Sequence, residues 1–230
     1  MGRLCLILFG APGSGKGTQA KLLQKSLGLP QISTGDMLRE SIEHGDDLGH
    51  EIRAILRAGA LVPDDVVNAL VAERIRRPDC ARGFLLDGYP RTVSQAATVD
   101  ALLKSEGIAA VVVHLKVDYN VIVARLAERR LCPVCGALYG TAPGAAAPPK
   151  VCGLDGARLV VREDDRPKVV TERLKAYDAT TAPVLEFFRK AGYRTLEVDG
   201  NAEGGPEVVS RGIQARLKEM TREMAGGLPE

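Results

Sequence analysis

Tryptophan is absent from the 230-residue chain, and aromatic residues together make up only 4% of it. Proteins that grip single-stranded nucleic acid stack bases on aromatic side chains, so a nucleic-acid platform of that kind is excluded. No apolar stretch approaches the roughly 20 residues needed to cross a bilayer. The apolar start, Leu4 to Phe9, is too short for a secretion signal and runs straight into glycines. Gly2 is followed by Leu6 where a myristoylation motif needs Ser or Thr. Charge of one sign is also missing: 31 Lys and Arg against 29 Asp and Glu leave +2, which forecasts no polyanionic partner. Cysteine is sparse and odd in number, with three of the five close together at Cys132, Cys135 and Cys152. That set argues for a metal site in a reducing compartment and against a disulfide framework. The reading is a cytoplasmic protein with no membrane partner. At 45% hydrophobic and 26% charged, it is ordinary enough to fold around one sizeable core.

Short apolar runs alternate with helix-period segments. Leu4–Phe9, Phe84–Leu86, Val111–Leu115 and Tyr193–Val198 read as strands, and the first three are almost continuously apolar, as strands covered on both faces are. Gly17–Leu27, Pro63–Arg77 and Tyr119–Arg130 read as helices between them. The alternation predicts an α/β fold with a central parallel sheet between helical layers, which binds ligands beyond the carboxyl ends of its strands. Two stretches break the pattern. Residues 33–62 read as helix and turn, and residues 130–166 carry the cysteines and an Ala/Pro-rich run. The second is too poor in large apolar residues to fold without a metal. A last amphipathic helix places Val209, Ile213, Leu217 and Met220 on one face, and residues 225–230 read as a flexible tail.

The segment Gly10-Ala-Pro-Gly13-Ser14-Gly15-Lys16-Gly17-Thr18 follows the first strand and opens a helix. Its spacing is that of a P-loop, in which glycines let backbone N–H groups surround a phosphate and the lysine reaches the outer phosphates. Gly17 stands where a Ser or Thr usually follows the lysine, so direct coordination of Mg²⁺ by a hydroxyl at that place is not expected.

Three further segments occur in order: residues 30–39, residues 83–92, and Arg162-Glu-Asp-Asp-Arg-Pro followed by Arg173-Leu-Lys-Ala-Tyr177. With the P-loop they resemble the adenylate kinase family in its long, lid-bearing form, over nearly the whole chain. The resemblance implies a P-loop core at 1–32, 63–127 and 166–224, a nucleoside-monophosphate-binding insertion at 33–62, and a lid at 128–165. It implies transfer of a phosphoryl group from Mg·ATP to AMP, giving two ADP, in a monomer that binds no nucleic acid.

On this resemblance Gly13, Ser14, Gly15, Lys16, Gly17, Thr18, Arg125, Arg129, Leu138, Tyr139 and Ala202 meet ATP. AMP falls to Thr34, Arg39, Ala60, Leu61, Val62, Gly88, Tyr89, Pro90, Arg91, Gln95, Arg162 and Arg173, with Gln95 reading adenine. The catalytic set is Lys16, Asp87, Arg91, Arg129, Arg162 and Arg173, with Asp87 holding water on Mg²⁺. Asp164 and Asp165 stabilise the closed lid or the Mg²⁺ shell. Gathering about six negative charges in one cleft suits arginine, whose fork grips phosphate oxygens bidentately. No general base is needed, because the AMP phosphate is already an anionic nucleophile.

Cys132-Pro-Val-Cys135 and Cys152-Gly-Leu-Asp155 form two close pairs separated by sixteen residues. Such an array suits a tetrahedral Zn²⁺ with Asp155 as fourth ligand, and it resembles the zinc-bearing lids of the family. Four protein ligands make that zinc structural. Cys5 and Cys80 read as packing residues, and His44, His50 and His114 match no motif. Two other readings compete: a kinase for another nucleoside monophosphate, and a P-loop ATPase with a zinc-ribbon nucleic-acid module.

Overall fold

A computed structural model describes residues 3–44, 47–141, 146–201 and 204–226. Strands β1 (Leu4–Phe9), β2 (Gln31–Ser33), β3 (Gly83–Asp87) and β4 (Ala109–Lys116) belong to the main sheet. A small hairpin pairs β5 (Arg130–Leu131) with β6 (Leu138–Tyr139), and β7 (Arg194–Asp199) returns to the main sheet. The helices are α1 (Lys16–Leu27), α2 (Thr34–His44), α3 (Asp47–Arg57), α4 (Asp64–Ile75), α5 (Val93–Ser105), α6 (Tyr119–Glu128), α7 (Pro167–Ala176), α8 (Ala182–Lys190) and α9 (Gly205–Gly226). The main sheet is parallel throughout, in the order β2-β3-β1-β4-β7.

Alternation along β1 shows why both faces had to be covered. Cys5, Ile7 and Phe9 pack into one cluster with Phe84, Leu86 and Val112, under Val71 of α4, Val99 of α5 and Phe188 of α8. Leu6 and Leu8 point the other way, with Leu85 and Val113, under Leu23 of α1 and Ile213 of α9. A side chain such as Phe84, fully buried, contributes about 3–5 kcal/mol against truncation to Ala. The last helix lays Val209, Ile213 and Leu217 on the sheet, with Met220 packed against the same cluster. It extends to Gly226, two residues into the stretch read as a tail, and 227–230 lie outside the described residues.

The strands read from the sequence are all present; the hairpin strands β5 and β6 are additions, and so, in the main sheet, is β2. Only Ile32 is buried in it, and a three-residue strand with one apolar residue carries no periodic signal. Its place at the sheet edge, paired to β3 from Gln31↔Leu85 to Ser33↔Asp87, brings the start of α2 to the carboxyl ends of the central strands. Arg130, read as the end of a helix, instead begins β5. Cys5 and Cys80 are fully buried. His114 lies in β4, edge-on to Phe9, and burial lowers its pKa. His50 is exposed, and the side chain of His44 lies outside the described residues.

Candidate active site

β1 ends at a loop that only glycine-rich sequence can follow. Gly10, Gly13 and Gly15 have φ of 148°, 83° and 95°. At Gly13 a Cβ would stand 2.8 Å from Leu126 Cγ, so α6 packs directly on the loop. Lys16 opens α1 and turns back, its Nζ donating to the carbonyls of Gly10 at 2.6 Å and Ala11 at 2.9 Å. Desolvation lowers its pKa to about 7; Asp87 opposes this, while Arg91, Arg173 and Arg129 add to it.

Asp87 closes β3 beside the loop. Burial raises its pKa, against the pull of Lys16 and of Gln31, whose Nε2 donates to Oδ2 at 2.8 Å. A Cβ at Gly17 would stand 3.3 Å from that same oxygen. The glycine that departs from the usual P-loop pattern therefore leaves room for a carboxylate. Gln31 is a site residue that sequence reasoning missed, since nothing local marks a partner 56 positions away.

Beyond the strand ends lies a cleft of about 1230 Å³. Its walls hold the loop, Ala60 and Leu61, and the side chains of Lys16, Arg39, Arg91, Arg125, Arg129, Arg162 and Arg173. Carboxylates orient several of these arginines. Arg129 Nε donates to Asp165 Oδ2 at 2.6 Å, and its Nη2 pairs with Oδ1 of the same group. Arg162 grips Asp164 with Nε at 2.9 Å and Nη2 at 2.7 Å. Arg173 Nη1 donates to the Asp164 carbonyl at 2.8 Å and to Asp165 Oδ1 at 3.1 Å. Arg39 pairs with Asp36. Burial works against the charge on Asp164, but Arg173 and Arg162 hold its carboxyl down at about 2. Burial also lowers Arg173 to about 10 despite Asp164. So many partly desolvated cations in one place are poised to take up anions.

Arg91 is held at several atoms. Its N–H donates to Gln95 Oε1 at 2.7 Å and its Nε to the Gly88 carbonyl at 2.7 Å. Thr34 Oγ1 donates to that same carbonyl at 2.8 Å. The second end of Gln95 is also engaged, Nε2 donating to Asp64 Oδ1 at 2.8 Å. Thr34, Val62, Tyr89, Pro90 and Gln95 are all buried behind the cleft wall. Asp64, which also accepts from Thr92 Oγ1 at 2.7 Å, is a second supporting residue the sequence did not mark. Arg125 Nη2 donates to the Gly200 carbonyl at 2.8 Å, tying α6 to the turn after β7. Ala202 lies outside the described residues. Leu138 and Tyr139 line the cleft from β6, but the Tyr139 hydroxyl is 3.1 Å from Cys152 Sγ and accepts from the Gly153 N–H at 3.0 Å.

Cys132 and Cys135 in the hairpin turn, with Cys152 and Asp155 after the hairpin, bring one donor atom each within 4.8 Å of all the others. Tetrahedral ligands about 2.0–2.3 Å from a zinc stand about 3.3–3.8 Å apart. Cys135 Sγ and Cys152 Sγ are separated by 3.6 Å, and Cys132 Sγ lies 3.2 and 3.4 Å from the Asp155 oxygens. A disulfide would need about 2.05 Å, so the spacing suits a shared cation and not an S–S bond. The cluster around it is small: Cys132, Cys152 and Leu159, with Ala137, Tyr139 and Ala157 against them.

A parallel sheet, a glycine loop at the carboxyl end of its central strand and a cation-lined cleft above define a P-loop nucleotide-binding protein. Residues 8–193 match the family model described as adenylate kinase. A protein named adenylate kinase from Thermosipho melanesiensis is 45% identical over 202 residues, 86% of this chain and 92% of that one. Another, from Anaeromyxobacter dehalogenans, is 45% identical over 218 residues, 94% and 99% of the two chains. A third, from Pseudothermotoga lettingae, is 40% identical over 216 residues. The chain belongs to the adenylate kinase family.

Proposed function

We propose that this protein catalyses reversible phosphoryl transfer from Mg·ATP to AMP, giving two ADP. The observation that carries the reading is the convergence of Lys16, Arg39, Arg91, Arg129, Arg162 and Arg173 on one cleft beside the P-loop. Little covalent chemistry is required of a protein in phosphoryl transfer, so positioning and charge stabilisation are the whole task. Desolvation disfavours the charged form of Lys16 in the empty cleft, and phosphates beside it favour that form. The loop N–H groups and Arg129 hold the donor, while Arg39 and Arg91 hold the phosphate of the acceptor. Arg162 and Arg173 stabilise the charge on the group in transit. Magnesium, when bound with ATP, neutralises phosphate charge, and the Asp87 carboxylate is the group suited to orient its water shell. Residues 33–62 and 128–165 act as two insertions that close over the substrates to exclude water. For Gln95 to read adenine, its amide has one Nε2 hydrogen and one Oε1 lone pair beyond those engaged by Asp64 and the Arg91 N–H.

The cysteine-rich end of the second insertion holds a structural zinc in this reading, since four protein ligands leave no open coordination position. All five cysteines are free, which fits a reducing cytoplasm. We take the active unit to be a monomer without nucleic acid. A coupled assay across AMP, CMP, UMP and GMP with Mg·ATP tests the reading. ADP formation should be most efficient with AMP. UMP or CMP outperforming AMP would instead make it a kinase of another monophosphate.

A further inference from the structure

Three threonines lie on the helical rod formed by α7, a turn of π-helix (Tyr177–Thr181) and α8. Two behave as helical threonines do, bonding four residues back: Thr171 Oγ1 to the Pro167 carbonyl at 3.1 Å and Thr180 Oγ1 to the Ala176 carbonyl at 2.6 Å. Thr181 does not. It is 8% exposed, and its Oγ1 donates across 90 positions to the backbone carbonyl of Arg91 at 2.9 Å.

The π turn makes this reach possible. One extra residue rotates the following face by about 100°, and such turns recur at functional sites. Before the turn, Val170 and Leu174 pack with Ile122 and Leu126 of α6. After it, Val184, Leu185 and Phe188 pack into the sheet cluster instead. Thr181 stands where the face changes, beside the cleft.

Its bond completes the fastening of Arg91. The N–H is tied to Gln95, Nε to the Gly88 carbonyl, and the backbone carbonyl to Thr181. Arg91 lines the cleft, and a Cβ at Gly88 would stand 2.9 Å from its Nη2, so the glycine leaves room for the guanidinium. The same rod carries Arg173 two turns upstream. We infer that Thr181 is a positioning residue for phosphoryl transfer: its hydroxyl fixes the Arg91 backbone relative to the helix that bears Arg173. The inference rests on the reaction proposed above and adds to it a residue that touches no phosphate.

Thr181→Val keeps the branched shape and removes the hydroxyl, and Thr181→Ser keeps the hydroxyl. With ATP and AMP, the valine variant should lose about tenfold or more in kcat, as a small misplacement of a reacting-site group does, with KM for ATP within about twofold. The serine variant should recover most of the loss. Equal kcat for the valine variant and the parent, well below the melting temperature, would overturn the inference, as would a serine variant as impaired as the valine one. A second readout needs no substrate. Hydrogen exchange at the Arg91 amide should be slow in the parent and the serine variant and faster in the valine variant; unchanged exchange there would also count against the tether. If the parent made no ADP from AMP while the exchange pattern held, the proposed reaction would fall and the tether would stand.

Discussion

Arg57, at the end of α3, and Glu163, in the 3₁₀ turn before α7, are joined by two parallel hydrogen bonds of 2.8 and 2.9 Å. They lie 106 residues apart, on the two stretches that interrupt the sheet pattern. The pair is exposed on both sides, so it is screened by salt and adds little to global stability. Its natural effect is on the relative placement of the two insertions. Glu163→Lys sets like charges face to face. We expect KM for the nucleotides to rise several-fold at low ionic strength, and the difference from the parent to vanish above about 0.5 M salt. Steady-state kinetics over a salt series checks this. Arg57 holds the Glu163 carboxyl below its usual range, so the contact persists above ordinary carboxylate pH and is lost as pH falls through that lowered value.

Lys16 and Arg91 sit in the cleft wall within reach of the P-loop and of Gly88. Removing a preorganised charge donor from a water-excluding site lowers rates by about 10²–10³-fold. Lys16→Met and Arg91→Ala should each lower turnover by about that factor while leaving the far-ultraviolet circular dichroism unchanged. Retained activity in both would remove the charge-stabilisation reading of the cleft.

The lowered pKa of Lys16, about 7, gives a pH signature. Between about 7 and its ordinary value of 10.5 the unfolded chain binds a proton that the folded, empty protein does not. The stability contribution of this residue therefore rises with pH across that window and is least favourable below it. Phosphate binding restores the proton. Nucleotide binding at pH 8 should take up close to one proton, measured by calorimetry in buffers of different ionisation enthalpy. Lys16→Met should abolish that uptake.

Among the described residues of 128–165, a small apolar cluster holds the cysteine-rich part together. Its four donors lie close enough together to share a cation, and on the proposed reading a bound zinc would supply the rest of its stability. The purified protein should contain about one zinc per molecule. Cys132→Ser or a strong chelator should remove it and lower the melting temperature, whereas Cys5→Ser, in the sheet, should retain full zinc. Metal analysis with a thermal scan decides, and stoichiometric zinc in Cys132→Ser would rule out the proposed ligand set.

The local features of the sequence determined a large part of this protein. The continuous apolar runs at Leu4–Phe9 and Phe84–Leu86 specified buried parallel strands, because a strand covered on both faces cannot alternate. The glycine spacing from Gly10 to Gly15 specified a phosphate loop, because those backbone angles admit little else. The Cys-x₂-Cys and Cys-x₂-Asp pairs specified two short donor pairs, which the fold brings within 4.8 Å of one another. The near-neutral total of +2 concealed what the cleft displays, cations gathered on one side and their carboxylates distributed among them.

Only tertiary structure decided the partners of those residues. Gln31 on Asp87, Asp64 on Gln95, Thr181 on Arg91 and Arg57 on Glu163 join positions between 31 and 106 residues apart. Nothing in local spacing encodes such a pairing, which depends on strand order and on where each helix crosses the sheet. The three-residue β2 belongs with them, since it is a strand only because β3 offers an edge to pair with. Periodicity and turn chemistry act over a few residues and can be read directly from the sequence. The orientation of a guanidinium depends on carboxylates and carbonyls brought to it by the fold.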